Sequence, residues 1–573
     1  MKTTAPALSE APANPRRTPT VKREKLSEAQ LAEQARDRLR HAHATPRYDL
    51  ATEQWLPVLR EGVVVSLGLR EVFEEAHRIT DIAVPNPLLR AALRRFLGAL
   101  TADLIRRDRE FTPDGWLNLH RSTEGTGFST AQIDTLFAVH QSHLWLWHPD
   151  TPFLQDHRLV GSLLKPQDDQ PVQELLLHLP SGSSAAWWVK AGEPALLGGL
   201  APDQSALWLI ARWFYAVNGN CGAVRLSDDT IGTSQGGGTF AETIATVTHA
   251  FRVDGSNLLR TLLRGQPDWV NDGVRAEQLH NPLYSCAWLD PGQPHLSEDP
   301  LYLSTLNVAS ILLAAADGNG NTTRFVRGPT PLPKAEAKVL RDLALSRDAH
   351  RVVFRSDRGD SAVRVPPSAM RTDVLHAFHR TGFDGHNLRG VINSANCWLP
   401  ANRQTVERER LELFLVAKGG TGPGPVWEEA VGVEFPARYL DPSHPNPQVT
   451  EHIRAAVAIA FDPKTGVRPR LEWAVADLLA QPSPDGWKRP KRDNTVAQAL
   501  TTKTVNGWLN LTVVELEKVL SDDSDDALAV WRSAVWKGAR AAFDTVATPY
   551  LTSSRYAPRY AIALRQLKPR TES

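Results

Sequence analysis

Cysteine is scarce in this chain, and what there is does not pair. The 573 residues hold three, Cys221, Cys286 and Cys397, far apart and without a CxxC spacing. A disulfide framework and a zinc ribbon are thereby excluded, and a reducing, cytoplasmic location is expected. Long apolar runs are missing too: none approaches the roughly 18 residues of a membrane span. The opening "MKTTAPALSEAPANPRRTPTVKREK" is basic but lacks the apolar stretch of a secretory signal. No membrane partner is expected. An excess of one charge is also lacking, since 65 Lys+Arg face 64 Asp+Glu. Any contact with nucleic acid must come from local patches rather than from an overall positive field. Residues 1–45 carry 9 basic and 5 acidic side chains and residues 451–573 carry 18 and 14, which leaves the middle acidic.

Cofactor signatures are absent as well. The chain has no G-x-x-x-x-G-K-[ST], no H-E-x-x-H and no G-x-G-x-x-G opening a helix after a strand. "GTSQG" satisfies G-x-S-x-G around Ser234. A nucleophile elbow needs a good strand before the serine and a helix after it, and "RLSDDTI" and two further glycines supply neither. A serine hydrolase using Ser234 therefore stands only as an alternative. His140, His143 and His148 cluster in "HQSHLWLWH" without a carboxylate or cysteine to complete a metal set. They read as ordinary histidines near a domain surface. No catalytic residue, cofactor or metal is expected.

What is present is enough apolar sequence, 42%, for two or more cores. Residues 1–45 read as a basic, largely disordered tail, with "KLSEAQLAEQARDRLRHAHA" as a solvated helix. "WLPVL" and "GVVVSL" predict a hairpin around Arg60-Glu61-Gly62, with a helix from about Gly68. Helical spacing marks Asn86–Ile105, "STAQIDTLFAVHQSHLWLW" and "APDQSALWLIARWFYA". After about Arg403, helix-like segments with short polar breaks run to the end. The fold class expected is α+β: a large mixed domain over 46–400, then an antiparallel four-helix bundle over 401–573.

Two segments invite a binding role. In "LPSGSSAAWWVKAG", Trp187 and Trp188 follow small residues, and adjacent strand residues point to opposite faces. One of the two faces away from the core, a candidate wedge or stacking group. "WKRPKRDN" packs Lys488, Arg489, Lys491 and Arg492 at the mouth of a helix. It reads either as a solvated inter-helix loop or as a phosphate contact.

Taken in order, several segments resemble the large subunit of the type I-E CRISPR Cascade complex, the CasA family. "DLATEQWLPVL" is similar to the family's first strand and "HPDTPFLQD" to its "H…HPFMQ" segment. "LPSGSSAAWWVKAG" sits where the family has an exposed loop ending in an aromatic. "NGNCGAV" and "SQGGGTF" fall in its glycine-loop region. "DPLYLSTLNVASILL" is weakly like "GPLDYLTWQSRR", and the ending "DTVATPYLTSSRYAPRYAIALRQLKP" looks like its last helices. The pieces are short and span most of residues 47–573; collinearity carries the resemblance.

The resemblance implies a non-catalytic DNA-sensing subunit. Its partners would be the guide-RNA-bearing Cascade backbone, double-stranded target DNA, the displaced strand and a helicase-nuclease effector. It would read the protospacer-adjacent motif while base pairing reads the sequence. Carried over, Ser183, Ser184 and Trp188 would lie near the motif. Gly219, Asn220 and Gly222 would form the glycine loop, and the wedge would be in "RGVINSANCWLP" at Asn393, Ser394 and Asn396. The chain departs at the wedge tip, which has no glutamine, and in the minor-groove lysine, since no Lys occurs between Lys190 and Lys334. It also has "NVAS" where the family has an arginine pair. A different or looser motif, or backbone contacts, would follow. A diverged subunit acting as adaptor for another effector through the tail 1–45 is the nearer alternative.

Overall fold

The computed structural model describes residues 27–107, 126–161, 169–176, 199–215, 244–248, 257–264, 310–315, 320–328, 353–356, 359–362, 410–419, 426–436, 455–456, 458–462, 464–484, 486–491, 494–521 and 524–568.

Helix α1 (Glu28–Ala42) starts at a capping box: Ser27 Oγ accepts from the Gln30 amide, and Gln30 Oε1 accepts from the Ser27 amide. Strand β1 (Arg47–Asp49) precedes the predicted hairpin, β2 (Leu56–Arg60) and β3 (Val63–Leu67), and helix α2 (Leu69–Glu74). Arg60 pairs with Val63, and Glu61 and Gly62 have φ of 52° and 82°. Two successive positive φ values make the turn whose twist matches antiparallel strands. Strand β4 (Ile79–Ile82) pairs along the other side of β2. Helix α3 (Pro87–Arg107) begins at the expected cap, where Asn86 Oδ1 accepts from the amides of Leu88 and Leu89. Helix α4 (Thr130–His140) carries a second capping box, on Ser129 and Gln132. "LWLW", expected as the end of that helix, contains strand β5 (Trp145–Trp147), antiparallel to β1. Its aromatic residues alternate with period two, which suits a pleated strand better than a helix face.

Strand β6 (Asp169–Pro171), helix α5 (Pro202–Tyr215), strand β7 (Ile244–Thr248) and helix α6 (Leu258–Arg264) follow. Next come β8 (Ser310–Ala315), β9 (Thr322–Gly328), β10 (Val353–Ser356), β11 (Gly359–Ala362), β12 (Arg410–Gly419) and β13 (Val426–Pro436). Every residue of α5 from Ser205 to Tyr215 is buried, as expected of a helix that is apolar all round. It packs on α3 in a core holding Trp55, Phe73, Phe96 and Phe153. The three-stranded sheets run β3-β2-β4, β6-β9-β8 and β13-β12-β7. Every described strand pair is antiparallel. The expected mixture of helix and sheet is what the described residues form.

Two expectations change. Helix α1 is not fully solvated: Ala32, Ala35, Leu39 and Ala42 are buried, and Leu39 and Ala35 cluster with Leu159, Leu312 and Val326. Its apolar residues recur at helical spacing and cover β8, which would otherwise expose them. Residues 401–573 are not all helical either. Strands β12 and β13 pair with each other, and β12 pairs with β7, Leu413 standing opposite Val247. "LELFLV" alternates as a strand does, and it lies inside the stretch assigned to the bundle.

Beyond the hairpin lie helix α7 (Val467–Leu478), strands β14 (Gln481–Ser483) and β15 (Gly486–Lys488), and helices α8 (Thr495–Ser521), α9 (Asp525–Ala547) and α10 (Ala557–Gln566). Helices α8 and α9 pack along each other, and α7 packs on α8, α9 and α10. Trp508 Nε1 donates to the Val535 carbonyl at 2.9 Å. Trp531 Nε1 donates to the Ala456 carbonyl at 2.9 Å. Each buried indole thus has its one donor satisfied.

Candidate nucleic-acid interface

The one predicted site with described residues is the basic segment after β14. Gly486, at φ 109°, opens β15 with a backbone conformation that side chains disfavour. The register sets Trp487 opposite Pro482 and Lys488 opposite Gln481. Lys488 and Lys491 are exposed. Arg489 is committed elsewhere: its Nη2 lies 3.1 Å from Asp477 Oδ2 on α7, and Gln566 Nε2 of α10 donates to the same oxygen at 3.1 Å. Asp477 therefore ties the hairpin to two helices, and Arg489 holds the loop in place. Arg492 lies outside the described residues.

Beside these cations stands an exposed aromatic that sequence pattern alone does not single out. Trp487 is 48% exposed, unusual for a residue of its size. The Arg559 guanidinium lies 4.5 Å from its ring centroid and 5.0 Å from that of Tyr556. Arg555 lies 4.7 Å from the Tyr556 ring, and Tyr550 meets Tyr556 edge-on at 5.2 Å. Trp487 is legible in the sequence only as the first letter of "WKRPKRDN". Its partners are some 70 residues further on, beyond the reach of local pattern.

"HPDTPFLQD" proves to be a brace. Leu154 is buried at φ 52°, a conformation rare for a branched side chain. That bend turns Gln155 inward, where Nε2 donates to the Leu146 carbonyl at 2.7 Å and Oε1 accepts from the Leu313 amide at 2.8 Å. Asp156, fully buried, donates its amide to the Ile311 carbonyl and receives the Arg158 guanidinium at 3.0 and 3.2 Å. The segment clamps the β5 region to β8.

Of the three clustered histidines, His140 differs from expectation in being buried, whereas His143 and His148 are partly exposed. His140 is 1% exposed, with Nε2 2.7 Å from Asp103 Oδ2, and Arg107 shares that carboxylate. Burial alone would raise the Asp103 pKa, but the hydrogen bonds and charges of His140 and Arg107 hold it below the usual carboxylate range. His148 Nδ1 accepts from the amides of Asp150 and Thr151. Among the described residues no group of His, Cys, Asp and Glu is placed to hold a metal, and no helix is long and apolar enough to cross a membrane.

The remaining predicted positions, Ser183, Ser184, Trp187, Trp188, Gly219, Asn220, Gly222, Asn393, Ser394 and Asn396, and Ser234 of the hydrolase alternative, lie outside the described residues.

The family model of CRISPR-associated protein Cse1 matches residues 49–336. A CasA/Cse1 protein of Thermus thermophilus is 32% identical over 138 residues, 24% of this chain. That match spans 26% of the relative's length. Among solved structures, Cse1 from Acidimicrobium ferrooxidans superposes with a TM-score of 0.60 at 19% identity, over 91% of this chain and 96% of that one. Thermus thermophilus CasA gives 0.57 at 18%, over 91% and 98%. A chain of a CRISPR RNA-guided surveillance complex gives 0.59 at 18%, over 91% and 99%. These likenesses establish a shared fold over 91% of the chain.

Proposed function

Because this chain belongs to the Cse1 family of CRISPR-associated proteins, we propose that it is the non-catalytic large subunit of a type I-E guide-RNA surveillance complex. It reads the protospacer-adjacent motif on duplex DNA and helps part the strands so that the guide can pair. It then recruits the helicase-nuclease that destroys the target. The observation that carries this reading is the fold likeness, over 91% of the chain, to a subunit of an RNA-guided surveillance complex.

The division of labour is physical. Base pairing reads the target sequence, and the protein needs to read only a short flank and disturb the duplex there. Insertion of a loop or wedge into the minor groove partly unstacks the bases. We assign the loop around Ser183, Ser184 and Trp188, the glycines Gly219 and Gly222 with Asn220, and the segment at Asn393, Ser394 and Asn396 to that step. Helices α7 to α10 serve as the family's C-terminal bundle, with the exposed Lys488 and Lys491 turned to DNA phosphates. The partners are the guide-RNA-bearing backbone subunits, target duplex and displaced strand, in the cytoplasm.

A gel-shift titration tests this. The guide-RNA complex is assembled with and without this chain and offered targets with randomised bases flanking the protospacer. Binding that depends on the flank only when the chain is present is the expected result. Identical binding in both arms would sink the motif-reading role.

A further inference from the structure

Strand β9 holds more than its two neighbours in the sheet. Strand β6 runs along one edge of it, with Asp169 opposite Val326 and Pro171 opposite Arg324. The one-turn helix Val172–Leu175 then packs on β9, and Val172, Leu175 and Leu176 are buried. The chain returns to the same edge at Leu200, which exchanges both backbone hydrogen bonds with Thr322, at 2.7 and 2.8 Å. Segment 177–198, with Ser183, Ser184 and Trp188, thus leaves and rejoins a single strand. Its two feet stand opposite Arg324 and Thr322, roughly 7 Å apart along β9. A bridge of one residue pair has no alternating apolar face to fix its register. Two features fix it here. Gly199 has φ 93°, and a Cβ there would fall 2.8 Å from the Thr322 carbonyl oxygen. Ser205 Oγ donates to Thr322 Oγ1 at 2.9 Å, and both residues are fully buried. Ser205 lies on α5, whose Arg212 guanidinium stands 5.1 Å from the Phe325 ring centroid of β9. Helix α5 ends at Tyr215, four residues before Gly219. There the Arg95 guanidinium of α3 lies 4.8 Å from the Phe214 ring centroid.

We propose that Thr322 is a positioning residue that sets two segments in one register, 177–198 and the one that opens after Tyr215. Its backbone holds the returning foot of the first, and its hydroxyl holds the helix that leads to the second. A valine would fill the same space, and a buried hydroxyl pair adds little net stability. What the pair adds is direction. In the dry core such a bond is strong and specific, so a shift at one attachment is passed to the other. That both segments meet the flank of the protospacer rests on the proposed function; their shared attachment to β9 does not. On that reading Thr322 helps decide which flank is accepted without touching DNA, as a supporting residue behind a binding surface does.

The test uses the full chain, alone and assembled with the guide-RNA complex, as wild type, Thr322→Val, Thr322→Ser and Ser205→Ala. Thr322→Val keeps the shape and removes the acceptor, while Ser205 Oγ retains the Leu200 carbonyl 3.4 Å away. Amide exchange read by mass spectrometry on the chain alone should quicken by about fivefold in peptides covering both 177–200 and 210–222, the factor one lost hydrogen bond is worth. Thr322→Ser should restore it. In the flank titration Thr322→Val should lower the preference among flanks by about the same factor, with unchanged assembly on the guide-RNA complex. Faster exchange in one segment only, or in neither, overturns the proposal, and so does an undiminished flank preference in Thr322→Val. Should Thr322→Val fail to fold, Ser205→Ala breaks the same bond from the other side and is held to the same outcomes. A wild type with no flank preference removes the motif-reading role, and the exchange data then decide Thr322 on their own. Coupled exchange leaves the positioning role standing, and uncoupled exchange ends it.

Discussion

His43 is 2% exposed, just past the end of α1, with Nε2 2.9 Å from the Leu313 carbonyl and Nδ1 near the backbone of His148. Burial pushes its pKa down to about 4, against 6.5 in the unfolded chain, despite the two backbone contacts that favour the proton. The unfolded state therefore takes up a proton that the folded state refuses. Stability from this group is complete above about pH 6.5 and is lost as pH falls toward 4, by about 3 kcal/mol in all. His143, lowered to about 4 by burial and by the charges of His140 and His148, acts with the same sign. His43→Gln should flatten the acid side of the profile, read by urea unfolding at about pH 7 and about pH 5. An unchanged slope would show that the ring titrates freely. Gln155 gives a second residue-scale expectation. Gln155→Leu leaves the Leu146 carbonyl and the Leu313 amide buried without their side-chain partner, at about 1–3 kcal/mol each. Chemical unfolding should show that loss, and a near-neutral result would mean that the brace is not needed. "HPDTPFLQD" was legible as a segment of the resemblance, but the sequence carries no sign that Gln155 and Asp156 reach β8 some 155 residues later.

Helices were the most legible elements because their signals are local. The caps Asn86 and Ser129, the Glu61-Gly62 turn and the all-round apolar run of α5 each lie within a few residues of what they control. Strands β7 and β12 were not legible as partners, since their pairing closes a loop of more than 150 residues. The interface of α8 and α9 holds two glycines with opposite expectations. A Cβ on Gly507 would meet only the Ala542 Cβ, at an ordinary 3.7 Å. Gly507→Ala should therefore stabilise by up to about 1 kcal/mol, the helix-propensity difference. A Cβ on Gly538 would come within 2.8 Å of Thr512 Cγ2, on a buried, β-branched side chain that cannot swing away. Gly538→Ala gains the same propensity but meets a clash of about 1–3 kcal/mol, and Gly538→Val adds bulk. Calorimetry on the three variants should rank Gly507→Ala above wild type and Gly538→Val below it. A Gly538→Val protein as stable as wild type would mean that the two helices separate at little cost.

At the scale of the whole molecule, the question is where the mixed domain ends. The sequence put the change at about residue 400, where the strong helical periodicity of the later segments made everything downstream look alike. The order β13-β12-β7 argues for a later boundary, because β12 is the central strand of its sheet and comes from residues 410–419. A fragment ending at residue 400 would leave β7 without the strand that satisfies its backbone groups, and an unpaired edge of that kind recruits other chains. A fragment ending at 446 keeps all three strands and removes α7 to α10 with the β14–β15 hairpin, of which α8 packs on β13. Fragment 1–446 should therefore be monomeric and resist limited proteolysis, whereas 1–400 should aggregate or be cut near β7. Size-exclusion chromatography and mass mapping of the cuts distinguish them. If 1–400 is the better behaved of the two, the hairpin belongs with the helices. The C-terminal unit would then carry its own sheet edge, and removing it in one piece would leave the mixed domain folded.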